Sequence, residues 1–526
     1  MKLHKLFAHV PILASEGPLD RHIAGMAYDS RHVAQDDLFV AIRGFHVDGH
    51  DYIQQALERG AAAVAYDRED WISSAGERVP DLCRRHGATA IRVADSRVSL
   101  SPLAAALNGY PARQILVVGV TGTKGKTTTS TLTAAVLDGG GHKSGLITTV
   151  DFKIGDRWWP NETRQTTPEA PEIQNLLRRM VDAGCDYAVI ESSSHALSPR
   201  WNRLGDCEYD VAVFTNVTHE HLDYHGTFEQ YRQDKAHLFE LLASSARQKQ
   251  VRGEQIQPAK TAIVNLDDPS ASFFIERAGD AQIITYAVEN PSALIRAVDV
   301  ESTQQGLRCR VLTPWGETRL EVPVLGAFNL PNVLAALSVG LSQGMTLDQC
   351  RQALERAPAV SGRMERIDLG QPFTVLVDYA HNPDSFEKLM GTMRPLTQGQ
   401  LIAVFGSAGE RDRQKRSIQG AIAARYCDFI VLTDEDPRLE ERYTILDEIA
   451  AGVEAEGKRE GKHYLKIADR REAIRESLKR ALPGDIVLLL GKGHESCIIY
   501  ADYKLPWDER EVARQLLREM GYESTQ

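Results

Sequence analysis

The chain has 526 residues, 43% hydrophobic and 25% charged, with a formal net charge of -11 at pH 7. That balance is ordinary for a globular protein of two to four domains, and it excludes a general nucleic-acid binder, which needs a basic surplus. Seven scattered cysteines, an odd number without a CxxC pair, argue against a disulfide framework or zinc knuckle and fit a reducing cytosol.

The opening MKLHKLFAHVPILASEG has no long apolar core, so no signal peptide is expected. No apolar run anywhere reaches the length of a membrane span. Residues 1–108 read as a first unit. GMAYDSRHVAQDDLFVAIRG alternates short strands with polar turns, and DGHDYIQQALERGAAAVAY reads as a helix followed by a strand. Tyr28, Asp29, Ser30 and Arg31 fall where one strand ends, and Gly44, Phe45, His46, Asp48 and Gly49 where the next ends. Loops at strand ends collect ligand contacts in α/β folds. Taken alone, DSR reads as a local Asx turn.

A second unit, residues 109–359, is organised around residues 115–130, ILVVGVTGTKGKTTTS. The apolar run predicts a buried parallel strand, and the residues from Lys126 onward predict a helix. A strand, a glycine loop and a helix N-terminus make an anion cradle: backbone amides and the helix dipole face phosphate, the lysine adds a cation, and the hydroxyl suits Mg²⁺. Five residues rather than four separate Gly119 from Gly125, but Gly122 to Lys126 keep the GxxGK spacing. Two further strands follow, YAVIE and VAVFTNV, each ending in polar or ionisable residues. Glu191 closes the first, where nucleotide enzymes place a metal-binding or catalytic carboxylate. The second leads to Asn216, His219, Glu220, His221, Asp223 and His225. The absence of HExxH or a nearby cysteine favours a hard cation on nucleotide phosphates over zinc. Residues 244–260 read as a polar surface excursion. GAFNLPNVLAALSVGL reads as a loop capped into an apolar helix.

A third unit, residues 360–526, offers four strands in FTVLVD, LIAVF, DFIVL and DIVLLL, each ending in a charged or glycine-rich loop. The rhythm predicts a parallel sheet with helices on both faces. Arg411 follows a glycine turn and is favoured as a ligand contact. Lys415 and Arg416 read equally as ligand contacts or as a solvated helix face. Residues 491–495, GKGHE, make only a weak second phosphate loop. The fold class expected is α/β in three domains: a central P-loop ATPase-like parallel sheet with helices on both faces, and a Rossmann-like C-terminal domain. The residues alone thus give a cytosolic ATP-dependent enzyme without its reaction.

GVTGTKGKTTT, ESSSHAL, TNVTHEHLDYHGT, GAFNLPN, SGRMERI, VDYAHNP and GKGHE, in this order, resemble the Mur ligase family over essentially the whole chain. The DSR, LFVAIRG and DGHDYI segments and EDPR resemble its diamino-acid-adding type. The resemblance implies three α/β domains: residues 1–108 holding the UDP end of the substrate, 109–359 binding ATP, and 360–526 closing over them with the amino acid. It implies ATP-driven amide formation through an acyl phosphate in peptidoglycan synthesis. The implied partners are small molecules: ATP with Mg²⁺, a UDP-muramoyl-dipeptide and a diamino acid. Neither nucleic acid nor membrane insertion is expected, and the protein is expected to be a cytoplasmic monomer. A folylpolyglutamate-type ligase shares the ATP core but lacks a uridine-binding first domain, so residues 1–108 argue against it.

The resemblance also assigns residues. Gly122, Thr123, Lys124, Gly125, Lys126, Thr127 and Thr128 would hold the ATP phosphates. Asn329 and Asn332 would lie on the adenine side, and Arg363 and Asp378 would reach the nucleotide from the closing domain. Thr127, Glu191 and His221 would ligate Mg²⁺, with Lys235 as a carbamate helping to bind a second ion. Lys126, Glu191, His221 and Lys235 form the implied catalytic set. Ser30, Phe45, His46 and Val47 would hold the uridine end. Thr166, Thr167, Ser193 and Arg203, in preference to Arg200, would hold the muramoyl-dipeptide. Arg411, Glu435, Asp436, Pro437, Arg438, Gly491 and Glu495 would hold the amino acid. Two departures stand out. Glu220 replaces the family's Asp, and EDPR replaces DNPR. Arg411, Arg438 and Glu495 suit diaminopimelate, whose distal centre carries a carboxylate and an ammonium. Asp436 in place of Asn adds a negative charge that would suit the bare ammonium of lysine or ornithine instead.

Overall fold

The computed structural model describes residues 1–44, 47–163, 165–218 and 222–523. The chain divides into two compact units. The first comprises residues 1–296, 313–316 and 331–353, the second residues 297–312, 317–330 and 354–526. Among the described residues, no helix is long and apolar enough to cross a membrane.

Two large sheets have most of their strands in the first unit. The smaller runs in the order Ala14–Glu16, Thr89–Arg92, Ala63–Tyr66, Leu38–Val40, Met26–Ala27, parallel except for its first strand. The larger is built on the predicted strand Leu116–Thr121, flanked in parallel by Tyr187–Glu191 and Val211–Phe214. Thr261–Asn265 and Gln282–Ala287 extend one side, and Ser144–Ile147 the other. These central strands are buried on both faces, which is why they read as continuous apolar runs rather than alternating ones. Helices Ala170–Asp182 and Phe228–Ser244 pack into one apolar cluster with Val117, Ile190, Ala212 and Phe214. Helix Lys126–Gly139 packs on Tyr187–Glu191 and Ser144–Ile147.

The stretch at 244–260 departs from expectation. It forms the antiparallel pair Lys249–Val251 and Glu254–Ile256, and Lys249 and Lys260 are buried rather than solvated. Both donate to the buried carboxylate of Asp210, at 2.5 and 3.0 Å. Lysines that anchor a buried acid look the same in sequence as lysines on a surface loop.

The second unit carries a six-stranded sheet in the order Glu365–Ile367, Thr374–Asp378, Ile486–Leu490, Leu401–Phe405, Phe429–Leu432, Tyr464–Lys466. All neighbours are parallel except the first pair. Four of these are the predicted strands; the two edge strands are too short and polar to stand out. Alternation along each strand sorts the core into two layers. Leu376, Ala403, Ile430 and Leu488 meet helices Pro383–Met393, Gln414–Tyr426 and Arg442–Ala455. Val377, Val404, Val431 and Leu489 meet helices Arg470–Arg480 and Glu509–Glu519. The C-terminal ends of four parallel strands therefore deliver the loops after Asp378, Leu490, Phe405 and Leu432 to one edge of the sheet.

Candidate active site

The phosphate loop is held from below by one face of helix Phe228–Ser244. Tyr231, Lys235 and Leu238 are spaced i, i+4, i+7, so they line one stripe. The Tyr231 hydroxyl lies 3.1 Å from Thr123 Oγ1, and Lys235 Nζ donates to the Gly122 carbonyl at 2.7 Å. A Cβ on Gly119 would come within 2.6 Å of Leu238, so only glycine lets the strand sit this close. Lys235 is buried, with its ammonium 4.4 Å from the Tyr231 ring centroid. Lys235 is therefore not a solvated helix lysine.

From the side, Asn216 takes the Lys124 amide at 3.0 Å on its side chain and the Thr123 amide at 2.7 Å on its carbonyl. Gly122 has φ +152°, and a Cβ there would lie 1.9 Å from Thr215 Oγ1. Gly125 has φ +83°, and a Cβ would lie 2.2 Å from Asn332 Oδ1. Asn332 also accepts from Thr129 Oγ1 at 3.2 Å. Asn329 is buried and donates to the Leu325 carbonyl at 2.8 Å. Lys126 opens the helix, as the sequence predicts, and donates to the Thr123 carbonyl at 2.9 Å. Thr128 is buried beside it.

Thr127 Oγ1 donates to Glu191 Oε2 at 3.0 Å, and the Thr149 amide adds a second bond at 2.8 Å. Among the described residues no lysine, arginine or histidine pairs with this buried carboxylate. A buried acid with a hydroxyl beside it and no ion pair among the described residues is a fitting donor set for a hard divalent cation. His221, the third expected ligand, lies outside the described residues, as do Phe45 and His46. Val47 is described and exposed.

The expected acceptor segment meets the phosphate loop at Glu191. Thr167 Oγ1 donates to the Glu191 carbonyl at 2.7 Å and accepts from the Ser193 amide at 3.1 Å. Arg203 donates to the Thr167 carbonyl at 3.1 Å and pairs with Glu169 at 2.7 Å, whereas Arg200 is exposed. Arg203 thus joins this site; Thr166 is half-buried alongside. Ser30 is buried and donates to Gln55 at 2.7 Å, and Asp29 accepts from the Arg31 amide, so DSR is indeed an Asx-capped turn. Tyr28 ties that turn to Glu172 at 2.9 Å, within the same unit.

In the second unit the expected amino-acid residues come from three loops. Gly409 donates its amide to the Asp436 carbonyl at 2.8 Å, drawing the Arg411 loop onto residues 434–438. Pro437 is buried, and a Cβ on Gly409 would lie 2.1 Å from its carbonyl oxygen. Gly491 has φ +98° and leaves room for Glu435, whose Oε2 would lie 2.9 Å from a Cβ there. Glu435 is buried with Oε2 unpartnered, and burial pushes its carboxyl up to about 7 against the pull of Lys415 and Lys492. The side chains of Arg411, exposed, and Arg438, half-buried, form no hydrogen bond or ion pair among the described residues. Arg363 lies 5.0 Å from the Tyr379 ring centroid. Asp378 accepts from the Met364 and Ala380 amides, and burial raises its carboxyl despite nearby Arg363.

Three residues not anticipated from sequence hold this site together. Arg470, fully buried, donates to the carbonyls of Asp434 at 2.8 Å and Leu490 at 2.7 Å, the residues just before two of the loops. Glu509 neutralises it at 2.6 Å. Lys492 joins Asp436 to Glu495. Arg416, read as a solvated or ligand-facing residue, is instead fully buried between Glu440 and Glu448, and it donates to the Ala408 carbonyl. Lys415 donates to the His381 carbonyl at 3.0 Å.

Comparison with known proteins agrees along the chain. Residues 22–107 match the domain described as Mur ligase family, catalytic domain; 120–340 match the Mur ligase middle domain; 362–493 match the Mur ligase, glutamate ligase domain. A UDP-N-acetylmuramyl-tripeptide synthetase of Roseiflexus sp. (strain RS-1) is 56% identical over 99% of this chain and 100% of its own. A UDP-N-acetylmuramoyl-L-alanyl-D-glutamate–2,6-diaminopimelate ligase of Geobacillus kaustophilus (strain HTA426) is 39% identical over 99% and 100%. A solved structure of a ligase of that second name superposes with TM-score 0.66 at 28% identity, covering 99% of each chain. The chain belongs to the Mur ligase family, whose members are ATP-dependent amide-bond ligases.

Proposed function

We propose that the chain adds a diamino acid, meso-2,6-diaminopimelate by preference, to UDP-N-acetylmuramoyl-L-alanyl-D-glutamate at the expense of ATP. The observation that carries this reading is the junction at Glu191. Its side chain meets the phosphate loop through Thr127, and its carbonyl meets the acceptor segment through Thr167. Phosphoryl donor and carboxylate acceptor are thereby held at one strand end, as transfer between them requires.

A substrate carboxylate oxygen attacks the γ-phosphorus, ADP leaves, and an acyl phosphate forms. The amine nitrogen then attacks the acyl carbon, phosphate leaves, and the amine gives up a proton. A carboxylate is a poor electrophile, and phosphorylation turns one oxygen into a good leaving group. The loop amides at residues 122–128 and Lys126 take the phosphate charge. Thr127 and Glu191, with His221 and carbamylated Lys235 by family pattern, would hold Mg²⁺, which when bound neutralises charge on the phosphates. Thr167, Ser193 and Arg203 orient the dipeptide, Ser30 and Val47 the uridine end, and Asn329, Asn332, Arg363 and Asp378 the nucleotide. Arg411 and Arg438 bind the distal carboxylate and Glu495 the distal ammonium. This reading takes the domains as residues 1–108, 109–359 and 360–526, working as a cytoplasmic monomer in peptidoglycan synthesis.

Names of relatives support it unevenly. The 56%-identical relative is named without its amino acid, and the 39%-identical one is named for diaminopimelate. Asp436 favours the second reading, a ligase for L-lysine or L-ornithine. Phosphate release from ATP, measured with the UDP-muramoyl-dipeptide and each diamino acid in turn, separates them. Release should require all three substrates and be fastest with diaminopimelate. No stimulation by any amino acid sinks the reaction; faster release with lysine or ornithine sinks the amino acid.

A further inference from the structure

Lys492 lies between two glycines in the loop after strand Ile486–Leu490, and its side chain is 0% exposed. Its ammonium donates to Asp436 Oδ1 at 2.9 Å and to Glu495 Oε2 at 2.6 Å. Asp436 Oδ1 also accepts from the Ile499 amide at 2.9 Å. One buried cation therefore joins two acids from separate loops, and a hairpin strand, Cys497–Ile499, completes the junction. Burial alone would discharge such an ammonium, but Glu495 and Asp436 hold Lys492 above its ordinary range.

The charges around it divide unequally. Asp436 and Glu495 share the one ammonium. Arg438 and Arg411 keep guanidiniums with no hydrogen bond or ion pair among the described residues. The groups left to meet a ligand are thus chiefly cationic, although the sequence places an extra aspartate here. Without Lys492 that surplus is lost, because the two carboxylates would compete with a ligand for Arg438 and Arg411.

We propose that Lys492 determines the amino-acid specificity of this site: by engaging Asp436 and Glu495 it lets Arg438 and Arg411 select a diamino acid that bears a second carboxylate. This rests on the diamino-acid ligase reading above. Lys492 acts through Asp436 and Glu495, so it is a positioning residue, and Asp436 ceases to be an argument for lysine.

The test uses the full-length chain with ATP, UDP-muramoyl-dipeptide and either meso-diaminopimelate or L-lysine, reading kcat/KM for each. Lys492→Met should lower the diaminopimelate-to-lysine ratio at least about tenfold, leaving the KM for ATP unchanged. Adding Asp436→Asn to that variant should restore the ratio to within about threefold of wild type, since one acid competing for the two arginines is removed. A lost fold does not shift a ratio between two substrates. Asp436→Asn alone, with Lys492 in place, should leave the ratio within about threefold. An unchanged ratio in Lys492→Met, no restoration in the double variant, or a large shift in Asp436→Asn alone overturns the proposal. So does a wild type that prefers lysine. A wild type that uses no diamino acid overturns the ligase reading itself, whereas a diaminopimelate-using wild type with an indifferent Lys492→Met overturns only this step.

Discussion

The phosphate loop and the amino-acid loops are both built at the ends of parallel strands, but by opposite means. The first is a backbone site. Gly122 and Gly125 adopt positive φ and leave no room for a Cβ, and Asn216 and Lys235 pin the loop's amides and carbonyls. The second is a side-chain site. Its loops come from residues up to tens of positions apart, and buried charges join them: Arg470 with Glu509 behind, Lys492 with Asp436 and Glu495 in front. A backbone cradle suits a ligand that every family member shares. A charge network can change what it accepts by one substitution, which is why the proposed reading puts specificity there.

The most damaging way to probe this contrast is to remove the cation behind the amino-acid loops. Arg470→Met leaves Glu509 buried and two carbonyls without a donor, and should destabilise the protein by about 3–5 kcal/mol in urea unfolding. Arg470→Met with Glu509→Leu should recover much of that, because the unpaired acid is gone. A loss below about 1 kcal/mol in the single variant would mean the loops do not depend on this pair.

In the phosphate loop, losing a charge should affect turnover instead. Lys126→Met is expected to reduce phosphate release about 10²–10³-fold while the urea midpoint stays put. A matching loss of stability would make Lys126 a structural residue and blur the distinction.

That contrast also explains what could be read beforehand. The phosphate loop is one continuous stretch whose glycines, lysine and threonine have a local physical reason, so residues 115–130 announce strand, turn and helix. The strands of the second unit announce themselves as apolar runs between glycine-rich loops. Arg470, Glu509 and Lys492 were not legible, because an arginine at the start of a helix reads as solvated until a partner 39 positions away is brought against it. Lys492 offered one hint: it lies between two glycines, three residues before an acid already singled out. Arg416 misleads in the same way, since four consecutive basic or polar positions mark a surface unless the fold buries one of them.

A smaller effect should come from adding a single methyl group to the backbone site. Gly122→Ala places a Cβ 1.9 Å from Thr215 Oγ1 at φ +152°. The strain should cost about 1–3 kcal/mol and raise the KM for ATP, without altering the preference among diamino acids. A changed amino-acid preference would show that the two sites are not separable.

The mildest probe is pH, and it should touch only the side-chain site. Glu435 is buried with one oxygen unpartnered, and burial lifts its carboxyl from 4.5 to about 7. The folded protein therefore binds this proton more tightly than the unfolded chain does. Its contribution to stability is present below about pH 4.5 and is lost as pH rises towards 7. Glu435→Gln carries no titrating proton and lacks that loss. The stability of Glu435→Gln relative to wild type should therefore rise by about 1–3 kcal/mol between pH 5 and pH 8, measured by urea unfolding at both. Equal differences at the two pH values would mean that Glu435 is charged in the folded protein throughout, and that the site holds a third acid which Lys492 must also offset.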